Sequence, residues 1–199
     1  MRPAAAGLYV PSRELAHAGH QLTQKILESK LSREHDPLFA RLLAGSAARH
    51  FPGFTPELVV SLPPKPGRDD RFRNVRRELA ARLGAADGGS ALSLTRLVRD
   101  YRRMSAAQRL AAAAGSHLAS ESVRARSVLL IDDVVTSGAQ AGDAIRALLA
   151  AGATEVRFAC VARTIGGPRA TGSPPHRAHR VGSGGLGAPS AGAVRSDCG

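Results

Sequence analysis

The stretch that decides the fold lies at residues 128–140 and reads Val-Leu-Leu-Ile-Asp-Asp-Val-Val-Thr-Ser-Gly-Ala-Gln. Its opening apolar run predicts a buried strand, because a strand covered on both faces carries a continuous apolar sequence. The run ends at two adjacent carboxylates, Asp132 and Asp133, and a loop with hydroxyl residues and glycine then leads into a helix. Ligands bind at the carboxyl ends of strands in open parallel sheets. We therefore expect Asp132 and Asp133 to face a ligand crevice.

Two adjacent carboxylates repel each other and are costly to bury, so they require hydroxyl donors or a cation. The vicinal hydroxyls of a ribose, with Mg²⁺ nearby, meet that requirement. The loop at residues 136–140 adds hydroxyls and backbone N–H groups at the positive end of a helix, where phosphate binds, and Gly138 lets the backbone approach an anion closely. Together these features predict a ribose 5-phosphate site. The alternative is purely structural: Asp132 ends a strand, and Thr136 or Ser137 caps the next helix.

Outward from this stretch, helices and strands alternate along the chain. Periodicity and capping residues predict helices over 12–30, 36–50, 72–83, 105–114 and 141–151, and strands over 58–62, within 92–98, and over 127–131 and 155–162. This alternation predicts an α/β fold with a doubly wound parallel sheet. The 199 residues suit one such domain, over residues 1–164. Residues 165–199 are rich in Gly, Pro, Ser and Arg, and we expect a disordered C-terminal tail.

The chain is strongly basic, with a formal net charge of +12. A basic surface attracts phosphate-bearing partners, from nucleotides to nucleic acid. Only three of the 28 basic residues are lysines, and a GC-rich genome also produces chains rich in Ala, Gly and Arg, so charge alone does not choose the partner. The absence of Trp and the presence of only two Tyr make stacking on single-stranded nucleic acid the weaker alternative.

The rest of the composition argues against several other classes. Cys160 and Cys198 lie far apart in the sequence, so neither a disulfide framework nor a zinc site is expected. His176 and His179 are spaced like a metal pair but have no Cys or carboxylate partners nearby. The chain contains no apolar run of about 18 residues and no secretory signal pattern. We therefore expect a cytoplasmic protein without a membrane partner.

Residues 128–140 resemble the signature with which type I phosphoribosyltransferases bind 5-phosphoribosyl-1-pyrophosphate (PRPP): an apolar run, Asp-Asp, two aliphatic residues and Thr-Ser-Gly. Three further segments are similar to segments of the ComF-like (competence protein F) family: residues 58–63, the Arg-Phe-Arg-Asn segment at 71–74, and residues 162–164. Arg73 stands where that family usually has Gly, and Gln140 replaces a small hydroxyl residue. The resemblance implies a type I phosphoribosyltransferase-like, Rossmann-like fold.

The resemblance also implies a role for each matching residue. Asp132 and Asp133 would hold the ribose hydroxyls and, through Mg-PRPP, Mg²⁺, while Lys65 would face pyrophosphate. Arg102 and Arg103 would lie in a mobile hood and act as catalytic cations that neutralise the departing pyrophosphate. The 5-phosphate would be bound by Thr136, Ser137, Gly138, Ala139 and Gln140. A solvated surface charge is the competing interpretation for Lys65, Arg102 and Arg103.

The function implied is binding of PRPP and transfer of its ribose 5-phosphate group to a nitrogen nucleophile, with release of pyrophosphate. Purine-salvage members of the superfamily carry an acidic residue where Thr136 stands, so a purine base is disfavoured as the acceptor. One alternative is a non-catalytic PRPP sensor or an accessory protein of competence and DNA uptake. A second is a basic nucleic-acid-binding protein. The sequence does not identify the acceptor, and it leaves a homodimer open.

Overall fold

A central parallel sheet organises the computed structural model, which describes residues 3–12, 14–96 and 104–165. The strands, in chain order, are β1 (Ala4–Tyr9), β2 (Leu58–Ser61), β3 (Ala86–Asp87), β4 (Leu92–Leu94), β5 (His117–Ala119), β6 (Ser127–Val135) and β7 (Glu155–Thr164). Five of them form the main sheet in the order β1-β7-β6-β2-β3, and every neighbouring pair is parallel. Strands β4 and β5 form a separate antiparallel pair.

Helices cover both faces of the main sheet. The α-helices of the described residues are α1 (Gln21–Glu28), α2 (Asp36–His50), α3 (Arg73–Leu83), α4 (Ala106–Ala113), which packs against α5, and α5 (Ala139–Ala150). Side chains of α1, α2 and α3 pack on one face against Leu129 and Ile131 of β6. Side chains of α5 pack on the other face against Val128 and Leu130. Burial of β6 on both faces explains its continuous apolar run, and the prediction of a doubly wound α/β fold is confirmed.

Strand β1 lies where the sequence predicts no regular element. Its sequence, Ala-Ala-Ala-Gly-Leu-Tyr, is poor in the β-branched and aromatic residues that favour strands. It nevertheless pairs with β7 from Ala4 to Tyr9 and forms one edge of the sheet. A Cβ atom on Gly7 would lie 2.4 Å from the Leu22 side chain. Glycine therefore allows α1 to lie close against this strand.

The helix predicted over residues 12–30 is wrong in its extent. A short 3-10 turn at Leu15–His17 comes first, and the α-helix begins only after His20. The His20 ring accepts the N–H of Thr23 at 3.2 Å and caps the first turn of α1. The Thr23 hydroxyl in turn accepts the N–H of Val10 at 3.0 Å. These bonds tie the start of α1 to the end of β1, so the chain has to turn before the helix can begin.

Smaller differences concern where the other elements begin and end. The strand predicted over 127–131 continues to Val135, the helix predicted from residue 141 begins at Ala139, and the final strand continues to Thr164. The strand predicted within 92–98 is described only as the short β4, and its partner β5 has no counterpart in the prediction. Tertiary pairing extends strands beyond the apolar run that marks their buried part.

Other expectations concern cysteines, metals and membranes. Cys160 is a buried free cysteine of β7, and burial raises the pKa of its thiol to about 12. Within the described ranges, no helix is long and apolar enough to cross a membrane. The same ranges contain no group of three or more His, Cys, Asp or Glu residues that could hold a metal ion. Cys198, His176 and His179 lie outside the described residues, as does the predicted tail beyond Ile165.

Candidate functional site

The carboxyl end of β6 extends beyond its neighbour β2. Pairing between these strands ends at Ser61 and Ile131, whereas β6 continues beside β7 as far as Val135. Asp132 and Asp133 therefore lie past the end of β2, and both are partly buried. The sequence predicts that the strand ends before these carboxylates, but they lie inside it because β7 continues to pair with β6 at Asp132, Val134 and Val135. Their position at the carboxyl edge of the sheet is the one expected for ligand-binding residues.

The carboxylates of this pair differ in their partners. Asp132 accepts the N–H of Asp133 at 2.8 Å, and Asp133 accepts the N–H of Val134 at 2.7 Å through Oδ1. The Arg71 guanidinium forms an ion pair with Oδ2 of Asp133. Burial, followed by the negative charge of Asp133, raises the pKa of Asp132 well above its usual value. Hydroxyl donors or a cation would stabilise the charged form of this pair, which is the chemistry that Mg²⁺ beside a ribose supplies.

The loop after β6 leads directly into α5. The Thr136 and Thr164 hydroxyls are hydrogen-bonded at 2.9 Å, which joins the ends of β6 and β7. Gly138 is the N-cap residue of α5 and has φ 73°, a left-handed conformation that favours glycine. The Ala139 N–H donates weakly to the Ser137 hydroxyl, at 3.5 Å. The backbone N–H groups at the start of α5 thus follow the carboxylate pair closely, and a helix N-terminus of this kind favours phosphate.

A cleft of about 670 Å³ lies beside the carboxylate pair. Its charged lining residues are the carboxylates Asp69, Asp70, Asp132 and Asp133 and the cations Lys30, Arg33, Lys65, Arg68 and Arg71. All five cations come from the turn after α1 and from the loop after β2. Five cations and four carboxylates together suit a ligand that carries both hydroxyl groups and negative charges. The donor set also fits Mg²⁺, which binds through one or two carboxylates and the phosphate oxygens of a substrate.

The cleft contains some of the predicted site residues and not others. The predicted site residues that line the cleft are Asp132, Asp133, Gln140 and the exposed Lys65. Residues 136–139 form the adjacent loop and helix start but do not line this cleft. The predicted hood cations, Arg102 and Arg103, lie outside the described residues.

Sequence reasoning missed Arg71 as a site residue. It belongs to the Arg-Phe-Arg-Asn segment, which in the sequence carries only a family resemblance. In the structure Phe72 is buried, and Asn74 donates to the Asp36 carboxylate of α2 at 3.1 Å. These two residues anchor the start of α3, and Arg71 lines the cleft directly before it. A polar residue next to a buried aromatic at a loop end is too common a pattern to identify such a site.

The buried Arg76 supports the cleft from behind and was also missed. Its Nη1 donates to the Ser61 hydroxyl at 2.8 Å and to Asp70 at 2.6 Å, and its Nε donates to Asp87. It therefore joins the end of β2, the loop that lines the cleft, and β3. Gly89 accommodates it, because a Cβ there would lie 2.4 Å from the guanidinium. Burying an arginine requires such partners, and the sequence does not reveal which carboxylates supply them.

Comparison with known proteins identifies the domain family of this chain. Residues 75–180 match the model of the phosphoribosyl transferase domain, which is more than half of the chain. The chain belongs to the phosphoribosyltransferase domain family. Part of the match, residues 166–180, extends past the described residues. No curated protein matches the chain significantly.

Among solved structures the likeness is distant. The chain is similar to glutamine PRPP amidotransferase from B. subtilis, complexed with ADP and GMP, at 21% identity and TM-score 0.45, covering 64% of this chain and 26% of that one. An allosteric regulatory enzyme of purine biosynthesis matches at 22% identity and TM-score 0.41, with 61% and 25% covered. Phosphoribosylpyrophosphate synthetase from Mycobacterium smegmatis matches at 19% identity and TM-score 0.39, with 63% and 33% covered. The chain spans a quarter to a third of the length of these proteins.

Proposed function

We propose that the protein binds PRPP as its Mg²⁺ complex and transfers the ribose 5-phosphate group to a nitrogen nucleophile, with release of pyrophosphate. The observation that carries the proposal is the carboxylate pair Asp132 and Asp133 at the carboxyl end of β6. It lines a cleft that contains five cations and four carboxylates, and a helix N-terminus suited to phosphate follows it in the chain. A ligand with a sugar diol between a monophosphate and a pyrophosphate satisfies all three groups at once.

In this proposal each element of the site has one task. Asp132 and Asp133 accept hydrogen bonds from the ribose hydroxyls and thereby orient the sugar. The backbone N–H groups and hydroxyls of residues 136–140 bind the 5-phosphate. Lys65 faces the pyrophosphate from the loop after β2. Mg²⁺ held through PRPP would neutralise charge on the pyrophosphate and polarise the bond to it.

The transfer itself needs no covalent intermediate on the protein. The bond between the anomeric carbon and the pyrophosphate oxygen breaks, the bond from nitrogen forms, and nitrogen releases a proton. Positioning and stabilisation of the leaving group supply most of the acceleration in this type of reaction. We assign that stabilisation to Arg102 and Arg103. Because it acts in the transition state, loss of these arginines would lower turnover more than PRPP affinity. Thr136 disfavours a purine base as the acceptor.

Binding of PRPP by calorimetry tests the site. Changing Asp132→Asn together with Asp133→Asn should weaken Mg²⁺-dependent PRPP binding by about 2 kcal/mol or more, the scale of lost charge-assisted hydrogen bonds. Asp69→Asn is the matched control, since Asp69 also lines the cleft but is exposed. The control should bind PRPP like the unchanged protein. An unchanged affinity in the folded double variant would rule the site out.

Pyrophosphate release then separates an enzyme from its alternatives. Candidate bases and amines should be screened for PRPP-dependent release of pyrophosphate. Tight PRPP binding without release for any acceptor would favour the sensor or the accessory protein of DNA uptake, to which the ComF-like resemblance points. DNA binding with a steep salt dependence, and no PRPP binding, would favour the basic nucleic-acid-binding protein.

A further inference from the structure

Arg71 engages the carboxylate that the proposed function assigns to a ribose hydroxyl. Its Nη2 atom forms an ion pair with Oδ2 of Asp133. The other oxygen of Asp133 accepts the N–H of Val134 at 2.7 Å. The Asp133 side chain is only 15% exposed, whereas that of Arg71 is 41% exposed. Both oxygens of this carboxylate therefore have partners within the chain itself.

The backbone around Arg71 is anchored on both sides. Its carbonyl oxygen accepts from Nη1 of Arg33 at 2.5 Å. The N–H of the buried Phe72 donates to Asp70 at 3.1 Å, and Asp70 is itself held by the buried Arg76. The base of Arg71 is thus fixed, while its long side chain is partly exposed at the cleft. Such a side chain can exchange one anionic partner for another without movement of the main chain.

We propose that Arg71 is a built-in counter-ion of the carboxylate pair, which leaves Asp133 for the pyrophosphate oxygens when PRPP binds. The inference rests on the proposed function and deepens it. An arginine remains protonated in a protein and matches phosphate as well as carboxylate. A divalent cation alone has to approach Asp133 against this fixed positive charge. Mg-PRPP instead brings the negative charges that Arg71 needs, so the metal reaches the carboxylates together with PRPP and not before it.

The test uses ligands that do not depend on turnover. Binding of Mn²⁺ alone and of inorganic pyrophosphate is measured by calorimetry for the whole protein and for Arg71→Gln. We expect Arg71→Gln to bind Mn²⁺ about tenfold more tightly and pyrophosphate about tenfold more weakly, the scale of one charge interaction in a partly exposed site. Arg71→Lys keeps the charge and should behave like the unchanged protein toward Mn²⁺. Arg68→Gln removes another cleft cation and serves as the matched control.

The outcomes separate this inference from the proposed function. Equal Mn²⁺ affinity in Arg71→Gln and the unchanged protein overturns the counter-ion role. Equal tightening in Arg68→Gln and Arg71→Gln also overturns it, because the effect would then belong to the general charge of the cleft. If PRPP binding still requires Asp132 and Asp133 in either case, the proposed function stands. If Arg71→Gln does not fold, Arg71→Lys is the deciding variant. A Mn²⁺ affinity of Arg71→Lys that differs from that of the unchanged protein would show that more than charge is involved, and it would contradict the counter-ion role.

Discussion

Two carboxylates on neighbouring elements have pKa values that are shifted in opposite directions. Asp132 of β6 is partly buried, and Asp143 of α5 is buried. Asp143 of α5 accepts from the backbone N–H groups of Gly115 and His117 at 2.8 and 2.9 Å, and from Nε and Nη2 of Arg146 at 2.9 and 2.8 Å. Burial alone would raise its pKa, but these donors outweigh burial and lower it well below the usual range. The pKa of Asp132, beside a second carboxylate, is raised instead.

The difference separates a carboxylate that stabilises the fold from one that, in the proposed function, binds a ligand. Asp143 receives its donors from the chain and joins α5 to the segment around β5. Asp132 accepts one backbone N–H, that of Asp133, and lies beside a second negative charge, so in the proposed function a ligand supplies the further donors. Binding sites of this kind are held at a cost in stability.

The network around Asp143 resembles a catalytic triad in composition but not in geometry. The Ser116 hydroxyl and the Asp143 carboxylate both contact Nδ1 of His117, at 3.1 and 3.0 Å. A triad requires the serine and the carboxylate on opposite ring nitrogens. Burial lowers the pKa of His117, so the ring is neutral at pH 7 and donates to Asp143. The three residues therefore form a structural anchor.

The largest effect is expected from removing that anchor. Asp143→Ala should lower the free energy of unfolding by about 3 kcal/mol, because it leaves buried donors without their partner. Urea denaturation measures the change. Glu121→Ala is the control: its carboxylate is 91% exposed, and the change should stay within about 0.5 kcal/mol. An equally small effect for Asp143→Ala would mean that Asp143 does not anchor the fold.

The pH dependence of this effect has a definite sign. Because the pKa of Asp143 is lowered on folding, its contribution is present above about pH 4, the ordinary Asp value, and is lost as the pH falls toward the lowered pKa. The pKa of His117 is also lowered on folding, so the free energy of unfolding falls further as the pH drops below about 6.5.

A smaller effect of opposite sign is expected at Asp132. Without ligand, Asp132→Asn should raise the free energy of unfolding at pH 7 by about 1 kcal/mol, the usual scale of a single substitution, because it removes a partly buried like charge beside Asp133. The pKa of Asp132 is raised on folding, so its own contribution is favourable below about pH 4 and is lost as the pH rises through the raised pKa. The gain from Asp132→Asn should therefore shrink toward pH 4. Denaturation curves at pH 4 and pH 7 test this, and a loss of stability at pH 7 would contradict it.

The smallest effect is expected from the tail, which contains neither carboxylate. Deleting residues 166–199 should leave the melting temperature and PRPP affinity nearly unchanged, since a segment with so few large apolar residues has little to bury. Deleting only residues 181–199 is the matched control, because the family match ends at residue 180. If the longer deletion alone lowers the melting temperature by about ten degrees, residues 166–180 belong to the fold. For a domain of this size, such a drop corresponds to several kcal/mol or less in the free energy of unfolding.

The sequence by itself determined the α/β fold class and the carboxylate pair with its following loop. These features are local: an apolar run records burial on both faces of β6, and polar residues directly after such a run lie at the edge of the sheet. Gln140, predicted to bind the 5-phosphate, and Lys65, predicted to face pyrophosphate, both line the cleft, and their roles stay predictions. It assigned no strand at β1, where small residues form a strand only because β7 offers a partner.

Only the tertiary structure decided which charges meet. Arg71 and Asp133 are 62 positions apart, and the partners of Asp143 around His117 precede it by 26 or more. Periodicity and local propensity report burial and backbone conformation, but not the partner that a charged side chain finds across the sheet. The energy of a buried charge depends on that partner more than on the residue itself. This is why the pKa values of Asp132 and Asp143, the same residue type in sequence, shift in opposite directions: Asp143 is a structural anchor, and Asp132 is a binding group in the proposed function.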